Sequence, residues 1–227
     1  MKILELFAGK QCFSNVAKSK GHTVFTSDIL ALDGIDYPIS ISDFDPSVIP
    51  FIPDVIWCSP ECKAFSVASG GFHFRIVNGK YEALTDEAKA ALQMVDDMLN
   101  VINHFLLINP NLIFYIENPV GLIDKVTDLK PNWLFCPIYI PRCITIDQCA
   151  YGRDVKKPTL IFTNDLGFKG KKCEGDKCTH FRKKTNSMVR EGSYKLNYYG
   201  RAALPNGLCE AVLNSASLIS QRTYAFF

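Results

Sequence analysis

The chain has 227 residues, of which 48% are hydrophobic and 21% are charged, and its formal net charge is +2. These values are typical of one folded domain with a real core, and they exclude a chain too polar to fold. Residues 1–7 lack the basic region and the apolar length of a signal peptide, and no apolar segment reaches the ~20 residues that span a bilayer. We therefore expect a cytoplasmic protein that does not enter a membrane.

The positive charge and the cysteines are distributed in ways that bear on function. Residues 168–190 hold eight lysines and arginines against two acids, a local charge of +6, whereas the rest of the chain carries −4. The nine cysteines are scattered over a chain too large to need disulfide stapling. Catalysis, metal binding or simple burial explains them better than a disulfide framework does.

The first 28 residues predict a β-turn-α-β unit. The apolar run 3–7 is followed by Ala8-Gly9, by the helix-compatible residues 13–17, and by a β-rich run that closes on Asp28. In such a unit a tight turn lets a ligand approach the backbone, and the acid can hold a pair of ribose hydroxyls. The turn has one glycine where dinucleotide fingerprints have three, so an ordinary βαβ start is the competing interpretation.

A second functional loop is predicted after residues 55–58. This apolar run stops at Ser59-Pro60, and Cys62 follows two residues later, beyond the carboxyl end of a predicted buried strand, where parallel sheets place their ligands. Cys62 is either a nucleophilic thiolate or a small core residue. Residues 39–44 predict one more short strand, and the spacing of these strands favours a doubly wound α/β sheet.

The middle of the chain alternates loop, helix and strand. Residues 67–73 contain two glycines and predict either a mobile lid or a plain surface loop. Thr85 then caps a long helix that ends at Asn109-Pro110, and its apolar residues recur at helical spacing as a core stripe. The buried strand 112–116 delivers Glu117 to the same sheet edge as Cys62. A partly desolvated glutamate there can hold or donate a proton near neutral pH, although a turn-forming acid before Asn-Pro is the simpler interpretation.

The last third of the chain predicts two strands, a basic segment and a helix. Residues 144–152 and 159–164 predict strands joined by a basic turn, and residues 204–219 resume a helical pattern. Between them, Cys173, Cys178 and His180 have a spacing that can supply three zinc ligands, with solvent-exposed thiols as the alternative.

With these pieces in order, the sequence resembles the cytosine-5 DNA methyltransferases, in particular their short bacteriophage forms, over nearly the whole chain. Phe7-Ala8-Gly9 is similar to the family's glycine turn, residues 59–66 to its Pro-Cys-x-x-Phe-Ser loop, and Glu117-Asn118-Pro119 to its Glu-Asn motif. Residues 151–159 resemble the basic strand pair that follows, and residues 200–208 the last cofactor motif. The resemblance implies a Rossmann-like methyltransferase fold that binds S-adenosylmethionine, and a monomer that flips a cytosine out of double-stranded DNA.

The resemblance also implies roles for individual residues. It assigns catalysis to Cys62, Glu117 and Lys157. It assigns cofactor contacts to the glycine turn, to acids after the next strands and to the two later motifs: Phe7, Ala8, Gly9, Asp28, Ile29, Asp43, Phe44, Pro60, Ala202 and Ala203. It assigns nucleic-acid contacts to Ser59, Phe65, Ser66, Asn118, Thr159, Lys171, Lys172 and Arg182. Residues 1–164 and 199–227 would form the catalytic domain, and the basic residues 165–198 a small target-recognition segment.

The sequence departs from the family pattern at four places. Glu61 stands where the family has proline, so an additional negative charge beside Cys62 would raise the pKa of the thiol. Gln11 replaces a second glycine, Lys157 and Thr159 replace paired arginines, and residues 201–203 replace Asn-Ser-Val. A tRNA methyltransferase with the same motif order, and a catalytically weak or inactive DNA-binding homologue, are the alternative functions.

Overall fold

A seven-stranded sheet organises the described part of the computed structural model, which comprises residues 1–69, 71–129, 136, 138–175 and 203–224, with the side chains of 68 and 220–224 left aside. The strands of this sheet are β1 (Lys2–Leu6), β2 (Thr23–Asp28), β3 (Tyr37–Pro38), β4 (Val55–Cys58), β7 (Ile113–Pro119), β8 (Arg142–Asp147) and β9 (Pro158–Thr163). Strands β5 (Phe74–Val77) and β6 (Lys80–Ala83) form a separate antiparallel hairpin. The helices are α1 (Cys12–Ser19), α2 (Asp86–Ile108), α3 (Ile123–Val126) and α4 (Asn206–Tyr224).

The sheet order is β3-β2-β1-β4-β7-β9-β8. The first five of these strands are parallel, and β9 runs antiparallel to both β7 and β8. The order reverses beside β1, because β2 lies on one side of it and β4 on the other. In open α/β sheets ligands bind outside the carboxyl ends of the strands at such a reversal. The predicted Rossmann-like α/β fold is confirmed.

Two hydrophobic layers cover the two faces of the sheet. Alternate residues of β1 point to opposite faces, so Leu4 and Leu6 pack with the α2 side while Ile3 packs with the side of α1 and α4. Strand β4 divides in the same way, with Trp57 stacked on Phe13 of α1 at 4.6 Å between ring centroids. Because strands covered on both faces are apolar throughout, the central strands read as continuous hydrophobic runs in the sequence.

Helix α2 begins and ends where the sequence predicts. The hydroxyl of Thr85 accepts a hydrogen bond from the amide of Ala88 at 3.1 Å, and Asn109 follows the last helical residue. Of the predicted core stripe, the side chains that are fully buried are Val95, Met98, Leu99, Ile102 and Phe105, while Leu92 and Leu106 pack against the core from partly buried positions. No helix in the described ranges is long and apolar enough to cross a bilayer.

Two predicted elements differ in the structure, and a third segment leads into a hairpin that was not predicted. The strand predicted at 39–44 is absent: the strand of this region is the two-residue β3, and the chain leaves the sheet after Ile39 and forms a 3₁₀ turn at Ile41–Asp43. The strand predicted at 144–152 ends at Asp147 and gives way to a 3₁₀ turn, Gln148–Tyr151. The segment predicted as a glycine-containing loop leads into the β5–β6 hairpin.

Both flanks of residues 176–202 are tied to the end of β8 and to the turn that follows it. The amide of Cys173 donates to Asp147 Oδ2 at 2.9 Å, and the amide of Lys171 donates to the hydroxyl of Tyr151 at 2.8 Å. On the other flank, Arg153 Nη1 donates to the carbonyl oxygen of Ala203. The chain therefore leaves and rejoins the sheet at neighbouring, hydrogen-bonded positions.

Candidate active site

A cavity of about 1240 Å³ opens along the carboxyl ends of the parallel strands. Its lining includes the segments that follow β1, β2 and β4, together with Glu117 near the end of β7. Strand β9 runs in the opposite direction, so its beginning lies at this edge and Lys157 joins the lining. Pockets for single small ligands are about 300–1,000 Å³, so this cavity has room for a cofactor and part of a second molecule.

The turn after β1 has the backbone conformation that its glycine predicts. Gly9 has a φ of 47° and its amide donates to Asp28 Oδ2 at 2.8 Å. Asp28 Oδ1 accepts from the amide of Leu30 at 2.9 Å. An ionised carboxylate has about four lone-pair positions, so two remain for further donors. The turn and the predicted ribose-binding acid are thus held together at the wall of the cavity.

Gln11, which replaces the family's second glycine, also adopts a left-handed conformation, with a φ of 55°. Its side chain is buried, and Nε2 donates to the carbonyl oxygen of Asp33 at 2.7 Å. This bond ties the turn to the loop after β2. The departure from the family pattern therefore has a structural role here.

Glu5 lines the cavity and is not among the predicted site residues. It is the penultimate residue of β1, is 3% exposed, and accepts hydrogen bonds from the amide and hydroxyl of Ser14 in α1. Burial raises the pKa of Glu5 to about 7, and the bonds from Ser14 partly oppose that rise. An acid inside an otherwise apolar strand run was the available signal.

The loop after β4 is fixed on both sides of Cys62. Ser59 accepts from the indole nitrogen of Trp57 at 2.9 Å, and the carbonyl oxygen of Pro60 accepts from Asn118 Nδ2 at 3.0 Å. After the cysteine, Phe65 is buried, and its ring stacks on Phe74 at 6.1 Å between centroids. The loop is therefore anchored to the sheet and to the hairpin, while Cys62 lines the cavity.

Gly121 is needed for the anchoring of this loop. A Cβ atom at position 121 would collide with the carbonyl oxygen of Phe65, which also accepts a hydrogen bond from the amide of Leu122 at 2.8 Å. The chain after β7 thus packs directly against the backbone of the cysteine loop. Glycine is the residue that permits this approach.

Three charges compete at the thiol of Cys62. The side chain reaches the open cavity, yet desolvation by the surrounding protein raises the pKa of Cys62 above its usual range, and the charges of Glu117 and Glu61 raise it further. Lys157 lowers the pKa and is the strongest opposing influence. As predicted, the charge of Glu61 raises the pKa of Cys62, but its contribution is the smallest of these.

Glu117 is 5% exposed and is paired on one oxygen. Lys157 Nζ lies 3.6 Å from Oε1, and Gln148 Nε2 donates to the same oxygen at 3.2 Å. Gln148 is fully buried and also bonds Thr159 and Arg153. Gln148 and Arg153 are not among the predicted site residues, because residue 148 falls inside a predicted strand and residue 153 in a basic turn.

The predicted site residues divide into three groups. Those that line the cavity are Phe7, Ala8, Gly9, Asp28, Ile29, Ser59, Pro60, Cys62, Ser66, Glu117, Lys157 and Ala203. Those placed behind or away from the lining are Asp43, Phe44, Phe65, Asn118, Thr159, Lys171 and Lys172. Ala202, Cys178, His180 and Arg182 lie outside the described residues. Near the predicted cofactor contact Asp43, Ile39 and residues 40–42 line the cavity in its place.

The predicted zinc site has one described member. Cys173 is half-buried, and its amide is bonded to Asp147. Within the part of the chain that the structure describes, no group of three or more cysteine, histidine or acidic side chains is placed to hold a metal ion.

Comparison with known proteins tests the resemblance that the sequence motifs indicate. The chain is 26% identical over 198 residues to the probable DNA (cytosine-5)-methyltransferase of Frog virus 3 (isolate Goorha). The match covers 82% of each sequence. The resemblance to the cytosine-5 methyltransferases is confirmed. No protein-family model matches the chain. A solved structure of a DNMT2 variant from Spodoptera frugiperda is 18% identical with a TM-score of 0.44, and the match covers 76% of this chain and 53% of that one.

The motifs that resemble those of the cytosine-5 methyltransferases fall in order along the carboxyl edge of the sheet. The glycine turn follows β1, the first acid closes β2, the cysteine loop follows β4, and the Glu-Asn motif is near the end of β7. Motifs that are up to 110 residues apart in the sequence thus surround one cavity.

Proposed function

We propose that this protein transfers a methyl group from S-adenosylmethionine to carbon 5 of cytosine in DNA. The observation that carries the proposal is the convergence of Cys62, Glu117 and Lys157 on the cavity that also contains the glycine turn and Asp28. A thiol, a carboxyl and a cation beside a nucleotide-type pocket are the groups that addition of a nucleophile to a pyrimidine ring requires.

The cavity fits the cofactor in its chemistry as well as its volume. Asp28 has lone pairs left for ribose hydroxyls. The backbone of Phe7 to Gly9 lines the cavity, where a bound ligand would contact it, and Ile29 is 70% exposed at the wall. An exposed isoleucine offers an apolar surface to a purine ring. When bound, S-adenosylmethionine supplies an electrophilic methyl group on a sulfonium. These residues would orient that methyl towards the cysteine side of the cavity.

The side chains of the site would activate the base. The thiolate of Cys62 adds to carbon 6 of cytosine while Glu117 supplies a proton to ring N3, which leaves a nucleophilic enamine at carbon 5. Carbon 5 would then take the methyl group as the methyl–sulfur bond breaks and the cofactor leaves as a neutral thioether. A general base would remove the carbon-5 proton, the N3 proton would return to Glu117, and the Cys62–carbon 6 bond would break to release the thiolate. Lys157 favours the thiolate at the start of this sequence because it lowers the pKa of Cys62.

A base stacked in a duplex cannot reach Cys62, so the target cytosine would have to be flipped into the cavity. The β5–β6 hairpin follows the cysteine loop, and His73 of this region lines the cavity. We assign DNA contacts to the basic segment, residues 165–198. Its lysines and arginines would supply salt-dependent phosphate contacts, and its short length implies a short target site.

The proposal is tested by methyl transfer from labelled S-adenosylmethionine to duplex DNA and, in parallel, to tRNA. We expect label in DNA at carbon 5 of cytosine, and a covalent adduct with DNA that contains 5-fluorocytosine. Cys62→Ala should abolish both and leave DNA binding within about threefold, since the thiol reacts and does not anchor the duplex.

Cys143→Ala is the matched control, because this half-buried thiol of β8 does not line the cavity. Transfer of labelled methyl groups to tRNA and none to DNA would show that the substrate is tRNA and not DNA. DNA binding without transfer or adduct would make the protein a non-catalytic binder and contradict the proposal.

A further inference from the structure

Gln148 lies behind the proposed catalytic carboxyl and is completely hydrogen-bonded. It is 0% exposed, and its Nε2 donates to Glu117 Oε1 at 3.2 Å and to Thr159 Oγ1 at 3.1 Å. Its Oε1 accepts from Arg153 Nη1 at 3.0 Å. Both amide hydrogens and the amide oxygen therefore have partners within the protein.

Arg153 determines which way the Gln148 amide points. A guanidinium only donates hydrogen bonds, so the group facing Arg153 must be the amide oxygen, and the NH₂ group must face Glu117 and Thr159. Thr159 agrees with this orientation, because its hydroxyl hydrogen donates to the carbonyl oxygen of Lys157 at 3.2 Å and its oxygen is left to accept. Rotating the amide by 180° would place its NH₂ group against the guanidinium of Arg153.

This orientation distinguishes the two oxygens of Glu117. Gln148 and Lys157 both meet Oε1, so Oε1 is an acceptor and a proton on Glu117 belongs on Oε2. The residue lines the cavity, and an N3 proton donor must present its hydrogen on that side. We propose that Gln148 is a positioning residue for methyl transfer: it holds Glu117 through Oε1 so that Oε2 is directed at ring N3 of the flipped cytosine.

The inference rests on the proposed function, but it concerns this chain's own residues. Lys157 and Thr159 stand where the family has paired arginines, and a lysine is a flexible point charge that fixes a carboxylate poorly. A buried amide whose two hydrogens and oxygen all have partners is held in one orientation. Gln148 thus supplies the directional contact that Lys157 does not.

The test measures covalent adduct formation on DNA containing 5-fluorocytosine for the wild type, Gln148→Met and Gln148→Glu. Methionine preserves length and removes all hydrogen bonding. Glutamate preserves shape and the acceptor for Arg153, but when ionised it cannot donate to Glu117. We expect the rate constant for adduct formation to fall about 10-fold to 100-fold in both variants, a range set by the sensitivity of reaction rates to misplacement. The dissociation constants for S-adenosylmethionine and DNA should stay within about threefold.

Thr163→Val is the matched control. Thr163 is equally buried, lies at the far end of β9 and donates to the carbonyl oxygen of Phe114 at 2.6 Å. Its loss should reduce the folded fraction, and hence the amplitude of adduct formation, without changing the rate constant.

The outcomes separate the two proposals. A slower rate constant with normal binding in the Gln148 variants supports the positioning role. Wild-type rate constants in either folded variant overturn it and leave the proposed function standing. A change in amplitude alone, as in Thr163→Val, also overturns it, because it would show a purely structural role. A wild type that forms no adduct with DNA or with 5-fluorocytosine-containing RNA overturns the proposed function and this inference with it.

Discussion

Replacing Lys157 by methionine removes the cation that faces both proposed catalytic groups. Nζ lies 3.6 Å from Glu117 Oε1, with the two side chains 20% and 6% exposed. At an effective dielectric constant of about 20, the Coulomb attraction at that separation is about 4.6 kcal/mol. The cost of desolvating both groups offsets much of this, and Gln148 still donates to Glu117 in the variant. We expect a net loss of about 1–3 kcal/mol in the free energy of unfolding.

The same change acts on the thiol with a defined sign. Lys157 lowers the pKa of Cys62, so its removal raises that pKa, and the thiolate fraction at neutral pH falls. Because the thiolate is the reactive form, we expect adduct formation at pH 7 to be slower in Lys157→Met than in the wild type. As pH rises through the raised pKa the thiolate returns, and the loss should shrink.

The assay is the rate constant for adduct formation with 5-fluorocytosine DNA between pH 6 and pH 10, with unfolding by urea measured in parallel. The rate profile of Lys157→Met should be displaced to higher pH relative to the wild type. A loss that stays undiminished at pH values where the thiol is ionised in both proteins would refute the electrostatic role. Such a loss would assign Lys157 to substrate contact alone.

Two further changes test neighbouring parts of the site. Glu61→Gln removes a charge that raises the pKa of Cys62, so adduct formation at pH 7 should become up to about threefold faster. This effect is opposite in sign to that of Lys157→Met. A slower variant would contradict the influence assigned to Glu61. Asp28→Asn replaces one carboxylate oxygen by an NH₂ group, which cannot accept a hydrogen bond from the amide of Gly9 or Leu30. The dissociation constant for S-adenosylmethionine, measured by calorimetry, should therefore rise at least about 10-fold. DNA binding should be unchanged. Unchanged cofactor affinity would show that Asp28 does not hold the ribose.

The parallel half of the fold and the placement of Cys62 were predictable from local patterns. Apolar runs bounded by turn residues gave the strands, and the rule that ligands lie beyond carboxyl strand ends placed Cys62 and Glu117 on one edge. Helix α2 was predictable because its capping threonine and its apolar stripe agree. In each case the pattern and the local propensity indicate the same structure.

The features that could not be predicted from the sequence depend on contacts between residues that are distant in the chain. The strand predicted at 39–44 is lost because the backbone beyond Ile39 turns away as a 3₁₀ turn, a choice that alternation alone does not reveal. Gln148 meets Glu117 across 31 positions, and that contact exists only because β8 and β9 pair antiparallel beside β7. No local pattern encodes the partner of a buried amide.

The tied flanks of residues 176–202 have a consequence for how such a protein can diversify. The bonds at Cys173, Lys171 and Ala203 hold both junctions of the stretch at the end of β8 and the turn that follows it. We therefore expect that a substitute sequence placed between these two junctions leaves the cavity and its chemistry as they are.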